Sequence, residues 1–145
     1  MKVQLQKLHP NAVIPTFGSS GAAGADLYAL LDQPVTLLPA QTLLIKTGIA
    51  VAIPDGYVGL IFARSGLASK RGLAPANKVG VIDSDYRGEL MVALHNHSDQ
   101  PQTVEAGERI AQLAILPYLQ PQFEETQQLD ETIRGTGGFG STGTK

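Results

Sequence analysis

The chain has 145 residues, a formal net charge of −2 at pH 7 and no cysteine. This length suits one domain with a sizeable core, and the lack of cysteine excludes disulfides, iron–sulfur clusters, Cys-ligated zinc and thiolate nucleophiles. A chain with this weak negative charge lacks the basic field of a duplex-binding protein. No apolar run reaches membrane-spanning length, and the first residues, MKVQLQKLHP, do not resemble a signal peptide. We therefore expect a cytoplasmic protein that binds neither a nucleic-acid polymer nor a membrane.

Short apolar segments rich in Val, Ile, Leu and Tyr run along the chain. Gly, Pro, Asp or Asn separates them, and the segments are VTLLP, TLLIKTGIAVAI, YVGLIFA, KVGVID, ELMVALHN and RIAQLAILP. This punctuation is typical of many short strands rather than long helices. The sequence therefore predicts an all-β fold, a sandwich or a barrel.

The first candidate site residue is Asp26 in AAGADLYAL, which lies between small residues and an apolar run. A carboxylate there could meet a hydrated cation, although a lone Asp before a strand is common. Further along, RSGLASKRGL predicts one short helix with Ser65 as its cap and Gly72 as a left-handed stop. The free N–H groups from Gly66 onward, together with Arg64, would form a seat for an anion such as phosphate. The alternative is an ordinary capped helix with an exposed arginine.

The segment NKVGVIDSDYRGELMVALHN contains two apolar runs around SDYRG and predicts a hairpin. Asp83 would end the first strand and Tyr86 would lie in the turn. The backbone between the strands could read a flat base edge, and Asp83 could orient and deprotonate a water. Alternatively, Asp83 and Asp85 only form the turn and Tyr86 only packs.

Two further polar features follow. The HNH stretch places His95 and His97 on one face of a strand, but the chain has only one other histidine, so a polar strand end is a better interpretation than a metal site. Gln112 is the one uncharged amide in an otherwise apolar strand, and a buried Gln needs partners from the protein or from a ligand.

After Pro117 the composition becomes polar and rich in Gln and Glu, which predicts an extended arm. We therefore divide the chain into a core of residues 1–118 and a flexible C-terminal arm of residues 119–145. GTGGFG in the arm matches a dinucleotide-binding pattern, but no helix can follow it in the remaining residues. Its glycines, with Arg134, Ser141 and Thr142, could instead close over phosphates beneath an aromatic lid at Phe139. A disordered glycine tail is the alternative.

Five segments in this order resemble the five motifs of the trimeric dUTPase family: AGADLYA, RSGLASKRG, GVIDSDYRG, GERIAQL and RGTGGFGSTG, from residue 23 to residue 143. The third and fifth are the most specific. One departure is Ala63, where the family often has proline before the Arg-Ser pair, and this should alter loop stiffness more than chemistry. The resemblance implies a jelly-roll-like β subunit, a homotrimer with active sites at subunit interfaces, and Mg²⁺-assisted hydrolysis of dUTP to dUMP and pyrophosphate. That reaction would remove dUTP from the nucleotide pool and supply dUMP for thymidylate synthesis.

The resemblance also implies a role for each matching residue. Asp83 would orient the attacking water toward the α-phosphorus, Tyr86 would pack on the deoxyribose, and Asp26 would assist the metal through water. The remaining substrate-binding residues are Arg64, Ser65, Gly66 and Gln112 for the phosphate chain, Asn77 and the hairpin backbone for uracil with Val81 and Met91 beside them, and Arg134, Phe139, Gly140, Ser141 and Thr142 for closure.

Two alternatives stay open. A dCTP deaminase would share the fold and the trimer, but it needs a glutamate on the strand after the hairpin, where this chain has Ala93. A catalytically silent nucleotide-binding or signalling module could keep the pocket and lose its base or its flap, whereas Asp83, Arg134 and Phe139 are all present here.

Overall fold

Twelve β-strands and one short helix form the regular structure of residues 1–139, the part of the chain that this computed structural model describes. The prediction of an all-β fold with one short helix is confirmed. In chain order the elements are β1 Gln4–Lys7, β2 Thr16–Phe17, β3 Ala25–Tyr28, β4 Val35–Leu37, β5 Thr42–Lys46, β6 Ile49–Ala52, β7 Tyr57–Phe62, α1 Ser65–Arg71, β8 Leu73–Pro75, β9 Gly80–Ile82, β10 Met91–Asn96, β11 Gln102–Val104 and β12 Arg109–Pro117.

The strands pair antiparallel in four sheets. The largest has the strand order β2-β3-β12-β7-β9, a second has the order β5-β10-β8, and β1-β6 and β11-β4 form two small pairs. The core lies between the two larger sheets because alternate residues of each strand point inward. Its principal members are Leu27, Ile61, Ala111 and Leu113 from the five-stranded sheet and Ile45, Leu73, Val92 and Leu94 from the three-stranded sheet.

The predicted hairpin is wrong in its pairing. β9 pairs with β7, whereas β10 pairs with β5 and β8, so the two strands belong to different sheets. Residues 83–90 between them are too many for a tight hairpin turn, and the fully buried Leu90 carries the chain into the second sheet. The divergence of β9 and β10 opens a cleft between them.

The helix α1 begins one residue earlier than a Ser65 cap would place it. Arg64 is the N-cap residue, with φ −83° and ψ 126° and no capping hydrogen bond from its side chain. Ser65 as a cap was therefore wrong, because Arg64 takes that position and directs its side chain elsewhere. The left-handed stop at Gly72 is confirmed by its φ of 67°. Arg71 anchors the end of the helix through Glu108, Gln102 and the Thr103 carbonyl.

After β12 the chain extends away from the packed strands and helix of residues 1–118, which we call the body. The Tyr118 N–H still donates to the Gly56 carbonyl at 3.1 Å, but residues 119–139 contain no helix or strand. The hydrogen bonds of this segment are internal, such as Arg134 Nε to the Gly137 carbonyl at 2.8 Å. Its large apolar side chains, Leu119, Phe123, Leu129, Ile133 and Phe139, are all more than three quarters exposed. Within residues 1–139, no helix has the length and apolar character needed to cross a membrane.

Candidate active site

A buried carboxylate joins three of the segments that the sequence singled out. Asp26 on β3 is only 3% exposed, and its Oδ1 accepts hydrogen bonds from Arg64 Nε at 2.8 Å and from Gln112 Nε2 at 3.3 Å. The register explains the meeting, because Gln112 of β12 lies opposite both Asp26 and Phe62, two residues before Arg64. Gly24 leaves room for the amide, since a Cβ there would lie 3.2 Å from the Gln112 side chain.

Arg109 also reaches this carboxylate, and sequence reasoning assigned it no role. Its Nη1 donates to Asp26 Oδ2 at 3.2 Å. In a regular strand Arg109 and Gln112, three residues apart, would point to opposite faces, but the register of β12 shifts between Arg109 and Ala111. The extra residue lets both side chains converge on Asp26. A bulge is not visible in GERIAQL, so the sequence gives no signal for this contact.

We call Asp26, Arg64, Arg109 and Gln112 the Asp26 cluster. Two guanidinium groups and one carboxylate leave one positive charge in excess. Next to Arg64, Ser65 and Gly66 are exposed at the first turn of α1, which contains no acidic residue. Apart from the backbone of its own helix and its chain neighbours, no described atom lies within 4 Å of the Cβ position at Gly66, so a ligand can approach the helix from that side. Excess charge beside open N–H groups suits an anion such as phosphate.

The second part of the site is the cleft between β9 and β10. A cavity of about 200 Å³ is lined by ten residues, among them Asn77, Val81, Met91 and Ala93. An adjoining cavity of about 210 Å³ shares Val81 and Met91 and adds Asp83, Tyr86 and Glu89. The structure therefore brings together the residues that the sequence assigned to uracil, deoxyribose and the attacking water.

Asp83 follows β9 directly and stands exposed at the edge of this cleft. On its other side it lines a larger cavity of about 470 Å³ together with Asp85, Tyr57 and Tyr118. A carboxylate in this position has room for a water and for the group that the water attacks.

Tyr86 is held in one orientation beside Asp83. Its hydroxyl donates to the Glu89 carbonyl at 3.0 Å, and its ring lies against Gly88. A Cβ at Gly88 would come within 2.4 Å of the Tyr86 hydroxyl oxygen, so a side chain there would displace the ring from this orientation. The ring is 39% exposed and presents a flat apolar surface at the mouth of the cleft.

The arm residues are not brought to either part. Arg134 and Phe139 lie on the exposed segment, while Gly140, Ser141 and Thr142 lie outside the described residues. Their closing roles, like the catalytic and binding roles of the other site residues, stay predictions.

In the described part of the chain, no group of three or more His, Cys, Asp or Glu could hold a metal ion. Asp26 has hydrogen bonds from three donors on its two oxygens, which leaves little of its acceptor capacity for a cation. With so few free protein ligands, a Mg²⁺ here would be held by phosphates and water rather than by a protein cage. The water-mediated role of Asp26 stays a prediction.

His95 and His97 lie side by side on β10 and just after it, with ring centroids 4.3 Å apart. His95 Nδ1 is hydrogen-bonded to the Thr42 hydroxyl at 2.7 Å. Partial desolvation, and then the nearby charges of Lys78 and His95, lower the pKa of His97 below its ordinary value. Among residues 1–139 the pair belongs to no group of three or more His, Cys, Asp or Glu that could hold a metal ion, and it forms a local polar feature of the strand end.

The geometry defines an all-β protein with a cluster that carries excess positive charge and a cleft next to an exposed carboxylate. A family model described as dUTPase matches residues 10–143. The chain belongs to the dUTPase family.

Known relatives span nearly the whole chain. A deoxyuridine 5'-triphosphate nucleotidohydrolase of Desulfitobacterium hafniense is 56% identical and covers 90% of this chain and 87% of its own length. The protein of the same name from Acinetobacter baumannii is 46% identical over 99% of both chains. Among solved structures, a point mutant of a Staphylococcus bacteriophage 80alpha dUTPase with dUpNHpp superimposes with a TM-score of 0.88 at 32% identity, covering 98% of each chain. The dUTPase from phage phi11 of S. aureus gives 0.81 at 27% identity, covering 91% of this chain and all of that one.

Proposed function

We propose that this chain is a dUTP diphosphatase that hydrolyses dUTP to dUMP and pyrophosphate. Family membership and the names of relatives at 46–56% identity support the reaction. The observation that carries it for this chain is the placement of Asp83 and Tyr86 at the mouth of the cleft lined by Asn77. The reaction removes dUTP from the nucleotide pool of the cytoplasm and leaves dUMP for thymidylate synthesis.

In the chemical step, the Asp83 carboxylate accepts a proton from a water while the oxygen of that water attacks the α-phosphorus. The bond from the α-phosphorus to the bridging oxygen of the β-phosphate breaks, and pyrophosphate leaves with that oxygen. Arg64, Gln112 and the backbone at Gly66 bind the phosphate chain and stabilise the charge that develops on it. Mg²⁺ bound to the phosphates would neutralise further negative charge.

In this proposal the backbone that lines the cleft determines base selectivity. Asn77 and the backbone around Val81 and Met91 would bind the edge of uracil. A 5-methyl group would need space against that backbone, so thymine is rejected sterically. The amino group of cytosine would face a backbone donor and leave both groups unpaired, at roughly 1–3 kcal/mol for each buried group.

The proposal includes a homotrimer with active sites at subunit interfaces, as the resemblance to trimeric dUTPases implies, and two features support a shared site. Gln112 of β12 pairs with Phe62 of β7, and Ile82 of β9 pairs with Gly59 of the same strand. Because β7 lies between β12 and β9, these two strands are separated by two interstrand spacings. With the usual rise per residue and spacing between strands, Gln112 and Ile82 lie about 14 Å apart in one chain. Asp83 follows Ile82, and Gln112 belongs to the Asp26 cluster. This separation favours a site in which Asp83 of one subunit faces the Asp26 cluster of another. The outer face of the same sheet also carries exposed apolar side chains that a neighbouring subunit would cover, namely Phe62, Val81 and Leu116.

The arm of residues 119–145 completes the site in this proposal. Arg134, Ser141 and Thr142 would add donors to the phosphates, the glycines around Gly140 would let the backbone turn toward them, and Phe139 would stack on the base. The exposure of Phe139 and the internal hydrogen bonding of the arm support this role, because a segment without core contacts is free to order on a ligand.

A dCTP deaminase is the closest rival, and the cleft argues against it. Ala93 lines the cavity where a deaminase would place its glutamate. Glu89 is the nearby carboxylate of the adjoining cavity, and its Oε1 accepts the Gly48 N–H at 2.8 Å. Ala93 has no group that could carry a proton, and Glu89 is held at one oxygen by the backbone of Gly48.

The proposal is tested by incubating the protein and Mg²⁺ with dUTP, dCTP, dTTP and UTP in separate reactions. Pyrophosphate and ammonia are measured in each. We expect pyrophosphate from dUTP and little from the other three. Ammonia from dCTP would identify a deaminase, and tight dUTP binding without any product would identify a silent binding module.

A further inference from the structure

Two arginines converge on one buried carboxylate, and the proposed mechanism uses only one of them. Arg64 and Gln112 both donate to Oδ1 of Asp26, whereas Arg109 is the donor to Oδ2. The Asp26 side chain is only 5% exposed, so Oδ2 would be poorly hydrated without Arg109. An unpaired oxygen of a buried carboxylate is unfavourable, so the Arg109 contact compensates part of the cost of burying Asp26.

The hydrogen bond from Arg109 to Oδ2 also fixes the orientation of the Asp26 carboxylate and therefore the position of Oδ1. The terminal torsion of an aspartate is soft, so a carboxylate held at one oxygen can rotate. Donors at both oxygens define its plane, and that plane sets where the Arg64 guanidinium and the Gln112 amide lie. A weaker hydrogen bond from Arg64 Nη1 to the Arg109 carbonyl, at 3.4 Å, adds a second link between the two arginines.

The β-bulge is what makes this arrangement possible. Without the shift between Arg109 and Ala111, the Arg109 side chain would leave from the opposite face of β12 and could not reach Asp26 together with Gln112. The bulge interrupts the ladder between β12 and β3, so it has a cost in regular hydrogen bonding. Its structural consequence is that the Arg109 side chain reaches Asp26.

Arg109 also determines the charge of the cluster. With Arg109 present the cluster carries one excess positive charge, and without it Asp26 and Arg64 neutralise each other. The Arg109 side chain is half exposed, against a quarter for Arg64, so the excess charge faces solvent and any ligand there. An anion therefore meets a cationic surface only if Arg109 is in place.

We propose that Arg109 is a positioning residue for phosphate binding. Through Asp26 it holds Arg64 and Gln112 in the orientation that receives the β- and γ-phosphates, and it supplies the positive charge that the cluster has in excess. This inference rests on the proposed function, because it assigns the phosphates of dUTP to the Asp26 cluster.

The test compares Arg109→Gln and Arg109→Lys with a matched control, Lys70→Gln, which removes the same charge from an exposed position on α1. Affinities for dUMP and for a non-hydrolysable dUTP analogue are measured by calorimetry, together with kcat, KM and thermal unfolding. We expect Arg109→Gln to weaken analogue binding and raise KM by about 10- to 100-fold while changing dUMP affinity only a few-fold. Arg109→Lys should recover part of the loss because it keeps the charge without the planar fork, and Lys70→Gln should match the wild type.

Wild-type analogue affinity in Arg109→Gln would overturn the inference. Equal losses for dUMP and the analogue would also overturn it, because they would indicate a general structural defect. If Arg109→Gln does not fold, Arg109→Lys decides, and a Lys variant with wild-type affinity and KM would count against the proposal. These binding results are separate from the proposed function, which fails if the wild-type protein releases no pyrophosphate from dUTP.

Discussion

The body and the arm contain the same kinds of apolar side chains in opposite surroundings. Leu27 in the body is fully buried between the sheets, whereas Leu129 in the arm is 78% exposed. The predicted site residues differ in the same way, since Arg64 is hydrogen-bonded to a buried carboxylate, whereas within residues 1–139 Arg134 is hydrogen-bonded to its own segment. The part of the proposed site in the body is therefore organised before a ligand binds. The described part of the arm has no packed surface on which it could become ordered.

This difference indicates that the body provides the stability of the fold, whereas the arm is proposed to contribute to turnover. Stability comes from the apolar side chains buried in the body, because burial is the main favourable term in folding. In our proposal the arm contributes only once substrate, a neighbouring subunit or both give it a surface, and ordering it then costs conformational entropy. Changes in the arm should affect catalysis without affecting folding, and changes in the core should do the reverse.

Removal of residues 134–145 should have the largest effect on turnover. The truncated chain loses Arg134, Phe139 and the hydroxyl donors at once, and loss of even one such donor costs about 100-fold or more in kcat in comparable sites. Pyrophosphate release and light scattering measure activity and assembly, and a chain ending at Gly143 serves as the control. Full activity after truncation would remove the arm from the mechanism, and loss of the oligomer would give it a structural role instead.

The same substitution in the two regions should have different effects on stability. Leu27→Ala should lower the free energy of unfolding by about 2–5 kcal/mol, because it leaves a cavity in the core. Leu129→Ala should change it by less than about 0.5 kcal/mol, as expected for an exposed position. Denaturant melts of both variants test the pair. Similar losses would mean that the arm packs on the body or on a neighbour in the resting protein.

Tyr86 tests whether a rigid residue of the body sets sugar selectivity. Tyr86→Ala should raise the kcat/KM of UTP relative to dUTP by about tenfold, because the ring that would clash with a 2′-hydroxyl is gone. Tyr86→Phe keeps the ring and loses only the hydrogen bond to Glu89, so it should keep the preference for deoxyribose. An unchanged ratio in Tyr86→Ala would show that sugar selectivity lies elsewhere.

The smallest effect is a pH dependence that belongs to the body alone. The pKa of His97 is lowered in the folded state, so the fold favours the neutral ring and protonation favours unfolding. Its contribution to stability is complete above the unfolded pKa of about 6.5 and is lost as the pH falls through the lower folded value. His97→Gln should therefore lose less stability than the wild type on acidification, in thermal melts between about pH 7.5 and pH 5. The truncated chain should behave like the wild type, because residues 134–145 contain no histidine.

Local patterns predicted local structure well. Gly72 stops the helix as expected, and the segments around Asp26, Arg64 and Gln112 meet at one place. The sequence could not show which strands pair, since β9 finds β7 rather than β10 through contacts distant in the chain. It also could not show the bulge that brings Arg109 to Asp26, because a register shift depends on both neighbouring strands.

The most direct test of the proposed reaction compares wild type with Asp83→Asn in pyrophosphate release from dUTP with Mg²⁺, alongside affinity for a non-hydrolysable dUTP analogue. We predict that the variant melts and binds like the wild type but loses at least about 100-fold in kcat, because Asn cannot accept the proton of the attacking water. Hydrolysis by Asp83→Asn within a few-fold of the wild-type rate would contradict the role of this carboxylate, and equal binding with no turnover by either protein would contradict the enzyme itself.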